Sequence, residues 1–488
     1  TIECDGLGGL NKKTKQNKKS KYFESMYRST ILNYDFDMRD NGEFQEPCYL
    51  FIYPDDANVE SVLQILADWK HQKGFDVVMT NTSETGTTLA EIKSYIQDAY
   101  DTWGNPPEFV CLVGDAGGNY SIPTGHLDGG MYNGEGDHVY TTLEGDDILA
   151  DVFIGRLSFN SILELQTIVA KILNYEKEPY LTQTEWYDKT LLVGDPSDSG
   201  PSCIETKQNI KQIIELQRPD FSFQEVYDTS QGSWGYQIQN GINEGMSYFN
   251  YRGFANMSGW NNNSIDNLTN GNMMPVVVSL TCLTGDFEGT NDCISERFLK
   301  AGSPGNLKGA VAAISTATGN THTCFNNCVD VGIFHGIFVD EIYHMGGALN
   351  RGKLNLYLNY PGNPANAVDQ FSYWNNLMGD PGMEIWTGIP QELVADYSDE
   401  VVLGTNFFVV NVEDLSNLPV ENAWVTILKG DDEIFQTGLT NENGEVIFPL
   451  ETSNPGEVTV TITKHDFIPH INSFNIVEDL SLVNVNEY

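Results

Sequence analysis

Basic residues are scarce in this chain. Lys and Arg number 26 against 68 Asp and Glu, a formal net charge of −42 over 488 residues. Such a surface repels phosphate backbones and anionic lipid, which excludes nucleic acid and anionic membrane as partners. It suits a secreted, soluble protein, extracellular or at a cell surface, and one with calcium sites. Acidity that only aids solubility needs no ligand. Long apolar runs are also missing, and none approaches the ~20 residues of a membrane span. The chain opens at Thr1 without a signal-peptide pattern, which is compatible with removal of one. Eight cysteines are too few for a disulfide-stapled fold, and their spacing matches no zinc module. Cys111 reads as a core thiol. Disulfides between Cys324 and Cys328, or between Cys4 and Cys48, stay open for an oxidising compartment. Gly347–Lys353 spells most of a phosphate loop, but Leu354 stands where Ser or Thr is required and no strand precedes it.

What is present is a regular alternation from Pro47 onward. Tyr49–Tyr53 reads as a buried strand. Val59, Val62, Leu63, Leu66 and Trp69 fall at helical spacing, with Gly74 as the stop. Phe75–Met79, a helix ending at Gly104 and Phe109–Val113 continue the cycle. The pattern resumes at Phe153 and restarts near residue 190. Strands are expected at 190–194, 222–227, 246–250, 275–280 and 308–315, and helices at 160–178, 203–217, 233–244, 329–345 and 365–378. This predicts a doubly wound, mostly parallel α/β sheet in two subdomains, 46–180 and 181–390. After Pro390, short alternating runs separated by turns predict a seven-strand β-sandwich over 391–488. Residues 1–45 stand apart, with six lysines between Lys12 and Lys21. They read as a solvated arm, or as an arm docking on the acidic surface of another copy.

Between residues 115 and 151 the rhythm stops, and glycines and acids gather. Asp115, Asp137, Asp146, Asp147 and Asp151 suit calcium, although no EF-hand spacing is present; an exposed acidic loop is the other reading.

The chemistry concentrates in Val276–Val278, a β-branched run that continues into Thr281-Cys282 and breaks at Gly285. Buried strands of open α/β sheets deliver side chains to such edges. A second run, Met246–Tyr251, ends in Arg252-Gly253-Phe254-Ala255 and is expected alongside it. Four features together resemble the gingipain family of secreted cysteine peptidases, relatives of caspases and legumains. They are Asp137-His138-Val139-Tyr140 leading to Phe153-Ile154-Gly155-Arg156; Asn250-Tyr251-Arg252-Gly253; Thr281–Phe287; and Met378-Gly379-Asp380-Pro381. The resemblance spans residues 22–388. It implies a caspase-like α/β core followed by an immunoglobulin-like domain, often with bound calcium.

On that resemblance Cys282 stands at the nucleophile position. The family carries Gly-His-Gly after the upstream strand, and here those places are Gly253, Phe254 and Ala255. Phe254 cannot accept a proton, and the Ala255 side chain occupies a place expected for glycine. Losing a general base typically costs ~10²–10⁴ in rate. Among the histidines, His322 is the one candidate substitute, because its loop flanks the family's substrate pocket. Asp195, Asp198 and Glu205 are candidates for the acid that in some members selects a basic side chain. The resulting expectation is a secreted pseudopeptidase serving as a structural or binding subunit, self-assembling through arm and sandwich. The alternative is an active cysteine endopeptidase, acting on peptide or protein through Cys282 and a displaced base. A carbohydrate or surface adhesin is a third class, resting on aromatic content and the sandwich.

Overall fold

In the computed structural model, residues 20–32, 34, 44–128, 133–319 and 322–478 are described. Cys48–Tyr53 is buried at every position, as a central strand covered on both faces must be. The Ala57–Gln72 helix follows, started by the Asp56 carboxylate, which accepts from the Asn58 and Val59 amides at 2.8 and 3.3 Å. Gly74, at φ +94°, ends that turn in a conformation L side chains rarely adopt. The Leu89–Thr102 helix opens with a capping box of Thr88 and Glu91.

Ten strands join in one sheet. Their order is Asp76–Asn81, Cys48–Tyr53, Phe109–Val113, Phe153–Leu157, Asn375–Met378, Ala312–Thr316, Val276–Ser279, Tyr248–Arg252, Lys189–Gly194 and Ser222–Val226. Neighbours run parallel within each half. The halves meet antiparallel at Asn375–Met378 against Ala312–Thr316.

That seam departs from the sequence reading, which placed a helix over 365–378. The helix is Ala367–Trp374, and the next four residues form a fully buried strand. A short apolar run cannot reveal its period, so helix and buried strand look alike. The asparagines secure the strand: Thr316 donates to Asn375 Oδ1 at 2.7 Å, and the Asp137 amide donates to Asn376 Oδ1 at 3.0 Å. A second departure is the Thr323–Phe338 helix, which starts earlier than expected, followed by a separate helix at Met345–Asn359. The phosphate-loop-like glycines lie in that second helix. A Cβ on Gly352 would come within 2.8 Å of the Val329 carbonyl, so this glycine serves close helix packing.

Several cations are buried with acids, Lys70, Arg156 and Lys207 among them. Lys70 lies 2.6 Å from Asp380 and 2.9 Å from Glu176. Arg156 grips Asp137 through two contacts, at 2.7 and 2.6 Å. Lys207 lies 2.6 Å from Asp330 and also donates to Asn250.

Most of the lysine-rich arm lies outside the described residues. Its end forms the Lys21–Thr30 helix, where Phe23 stacks on Phe153 at 4.1 Å and Lys21 sits 3.0 Å over the Trp424 ring. The C-terminal region contains eight described strands rather than seven, in sheets of three and five. Phe408, Val410, Ile427 and Val460 pack between them in one core.

Removing the cation of a buried pair leaves the acid without compensation. Lys207→Met is therefore expected to lower stability by about 3–5 kcal/mol in urea unfolding. A loss below about 1 kcal/mol would show that the pair is not holding this half of the sheet.

Candidate active site

The Tyr248–Arg252 and Val276–Ser279 strands run parallel, with Tyr251 opposite Ser279. Their register carries past both strand ends. Ala255 bridges to Cys282, and the Asn256 amide donates to the Cys282 carbonyl at 2.7 Å. The two segments then turn at matching points, since Asn256 and Leu283 have φ of +51° and +66°. For leucine, the left-handed region costs on the order of 1–2 kcal/mol. The turn is held by the Leu283 and Gly285 amides, which donate to the Thr318 and Thr316 carbonyls, each at 3.0 Å. Cys282 is buried, whereas Phe254 beside it is 61 % exposed.

A buried arginine organises this edge. Arg252 donates to Asn327 Oδ1 at 2.9 Å, to the Thr323 carbonyl at 3.3 Å and to the Leu280 carbonyl. Asn326 donates to the same Leu280 carbonyl at 2.9 Å. Five hydrogens in a planar fork make a guanidinium suited to joining several carbonyls at once. The helix that starts after His322 is thereby tied to the chain two residues before Cys282. A cleft of about 470 Å³ adjoins the turn, with Asn256, Trp260, Asn262, Leu283 and Asp292 among its walls.

Of the three acids expected near a substrate pocket, Asp195 reaches this edge. Its amide donates to the Arg252 carbonyl at 2.9 Å, and its carboxylate accepts from Ser258, which in turn meets the Tyr251 hydroxyl. Asp198 and Glu205 are exposed, with Glu205 in the first turn of the Ser202–Gln217 helix. His322 caps the Thr323–Phe338 helix, and its Nδ1 lies 3.1 Å from the Cys324 sulfur. The other histidines also have partners. His71 meets Asp432, His126 meets Glu288, His138 meets the Ile148 carbonyl and His335 meets Asp340. His344 accepts from the Gly347 amide, His465 meets Thr387 and His470 meets Tyr397.

The expected calcium set does not assemble. Among the described residues no three His, Cys, Asp or Glu side chains stand together as a metal site. Asp137 is committed to Arg156, and Asp115 faces Lys300 at 3.7 Å. Asp151 accepts from the Leu143 and Glu144 amides, Asp147 accepts from the Leu149 amide, and Asp146 is exposed. Asp137 and Asp115 are thus turned to an arginine and a lysine, and Asp147 and Asp151 to backbone amides. The disulfide alternatives do not form either: Cys48, Cys324 and Cys328 are thiols, and Cys4 lies outside the described residues.

One part of the acidic loop does reach the cysteine turn. Gly134 bridges to Thr318, and Glu135 accepts from the Glu288 amide at 3.2 Å. Burial, and then the Asp286 carboxylate beside it, push the Glu135 carboxyl up to about 8. Residues so far apart in sequence gave no spacing from which their meeting could be read.

A doubly wound sheet with a cysteine at a strand end and a neighbouring loop edge is compatible with the cysteine-peptidase class. The model of Peptidase family C25 matches residues 43–386, and the chain belongs to that family, the gingipain cysteine peptidases. Gingipain R2 of Porphyromonas gingivalis is 24% identical over 477 residues, covering 94% of this chain and 61% of the relative. Lys-gingipain of the same organism is 24% identical over 486 residues, covering 93% of this chain and 27% of the relative. The chain thus spans less than two thirds of the length of these relatives. The crystal structure of the Arg-specific cysteine proteinase gingipain R superposes with a TM-score of 0.76 at 22% identity, over 89% of this chain and 98% of that one. The complex of its pro- and mature domains gives 0.77 at 20% identity, over 88% and 100%. These likenesses establish the fold. Among the described residues no helix is long and apolar enough to cross a membrane.

The Glu135 carboxyl gives a pH prediction. Folded, it keeps its proton to about 8; unfolded, it releases it near its ordinary 4.5. Between these values the folded state binds more protons, so this contribution is complete below the lower value and is lost as pH rises through the upper one. Glu135→Gln is expected to flatten the fall in melting temperature between about pH 5 and pH 9. An unchanged slope would remove Glu135 as its source.

Proposed function

We propose that this chain is an extracellular gingipain-family protein whose peptidase chemistry is impaired, and that it serves as a structural or binding subunit. The observation that carries this reading is Phe254. It occupies the loop that bridges to Cys282, where the family resemblance calls for a proton acceptor, and its ring faces solvent. A phenyl ring neither accepts the thiol proton nor holds an ion pair with a thiolate, and peptide-bond cleavage by cysteine depends on such help. His322 adds support, because its imidazole is turned to Cys324. An active endopeptidase using Cys282 with a non-standard base would have to rebuild that edge. The adjoining cleft gives the retained scaffold room for a peptide or protein ligand.

In this reading the C-terminal two-sheet unit is an immunoglobulin-like docking or spacer module. The lysine arm supplies cations complementary to the net charge of −42, and so a means of self-association between copies.

Fluorogenic peptides with Lys, Arg or small residues before the scissile bond test the chemistry. Phe254→His combined with Ala255→Gly is expected to raise turnover at least ~10²-fold over wild type. Adding Cys282→Ala should abolish the gain. Continued silence of the double variant would mean that more than the base is missing. Deletion of residues 1–21 is expected to reduce particle size in light scattering, and an unchanged size would remove the self-association role.

A further inference from the structure

We propose that Cys324 and Cys328 form a second thiol site, distinct from Cys282, at which Cys324 exchanges with small disulfides and Cys328 resolves the product. The geometry points there on three counts. The Cys324 sulfur lies 3.1 Å from His322 Nδ1, a thiol donating to an imidazole that can take its proton. Cys324 occupies the first turn of the sixteen-residue Thr323–Phe338 helix, where the aligned peptide dipoles favour a negative sulfur. Cys328 follows four residues later, on the same helix face.

Exposure and environment separate the two roles. Cys48, Cys111, Cys203, Cys282 and Cys293 are buried, whereas Cys324 and Cys328 are partly open. Burial raises the Cys328 thiol above its ordinary value, which keeps it protonated and leaves the first attack to Cys324. The Cys324 thiolate attacks one sulfur of a disulfide RS–SR, its proton passing to His322. An S–S bond forms to Cys324 and one RS⁻ leaves. Cys328 then loses its proton to solvent and attacks the Cys324 sulfur, expelling the second RS⁻. Two protein thiols are oxidised to one disulfide, and one small disulfide is reduced to two thiols.

The second step has a structural consequence. Neighbours four apart on a helix hold their Cβ atoms about 5–6 Å apart, against about 3.5–4.5 Å in a disulfide. Closing the bond must therefore tighten or unwind the first turn. Arg252 donates to the Thr323 carbonyl in that turn and to the Leu280 carbonyl beside Cys282, so the change would be felt at the candidate active site.

The test is incubation of the full chain with oxidised glutathione, followed by peptide mapping by mass spectrometry. Wild type is expected to yield the Cys324–Cys328 disulfide, and Cys328→Ser to stop at glutathione on Cys324. Iodoacetamide should modify Cys324 about tenfold faster than any of the five buried thiols. His322→Asn, which keeps a capping side chain but removes the imidazole, should slow that reaction several-fold with unchanged circular dichroism. Glutathione found elsewhere than Cys324, no adduct at Cys324 in Cys328→Ser, or an alkylation rate indifferent to His322→Asn would each overturn the proposal.

Discussion

Everything at the candidate site depends on the parallel register that sets Tyr251 opposite Ser279. A slip of one residue would send alternate side chains to the other face of the sheet. Held in this register, the two chains leave the sheet together, and Ala255 meets Cys282. Arg252 locks the arrangement from behind. A buried guanidinium is tolerable only when its hydrogens find acceptors, and here the Leu280 and Thr323 carbonyls and Asn327 supply them. The edge is thus well ordered. What it lacks, in the reading proposed above, is an imidazole at position 254 to take the Cys282 proton.

Much of this was legible in the sequence because burial on both sides of a parallel sheet demands continuous apolar runs. Val276-Val277-Val278 and Leu191-Leu192-Val193 announce themselves in that way. The pairing of the Cys282 strand with the Tyr248–Arg252 strand was expected and is observed. The seam was hidden, because Asn375–Met378 is too short to show a period and its asparagines act through partners distant in sequence. The partners of the acids in the 115–151 loop were hidden for a related reason. Composition counts carboxylates, but it does not say that Asp137 will be spent on Arg156 and Asp115 turned to Lys300.

The motifs that carried the family resemblance have structural work as well. Asp137 and Arg156 form one buried ion pair, and Asp380 receives Lys70 and the Tyr49 hydroxyl. Asn250 bonds to the Val278 carbonyl and to Asp330, joining the strand beside Cys282 to the helix behind it. Such groups are costly to orphan in a low-dielectric interior. Their persistence in the fold is therefore explained by stability and does not require an active peptidase. That separation lets a scaffold retain Cys282 and its surroundings while Phe254 stands beside it.

The most direct measurement compares the purified wild-type chain with Cys282→Ala on a diverse peptide library, with cleavage products counted by mass spectrometry. The account predicts that the two digests are indistinguishable. Cleavage by wild type that disappears in Cys282→Ala would contradict it and make Cys282 a working nucleophile.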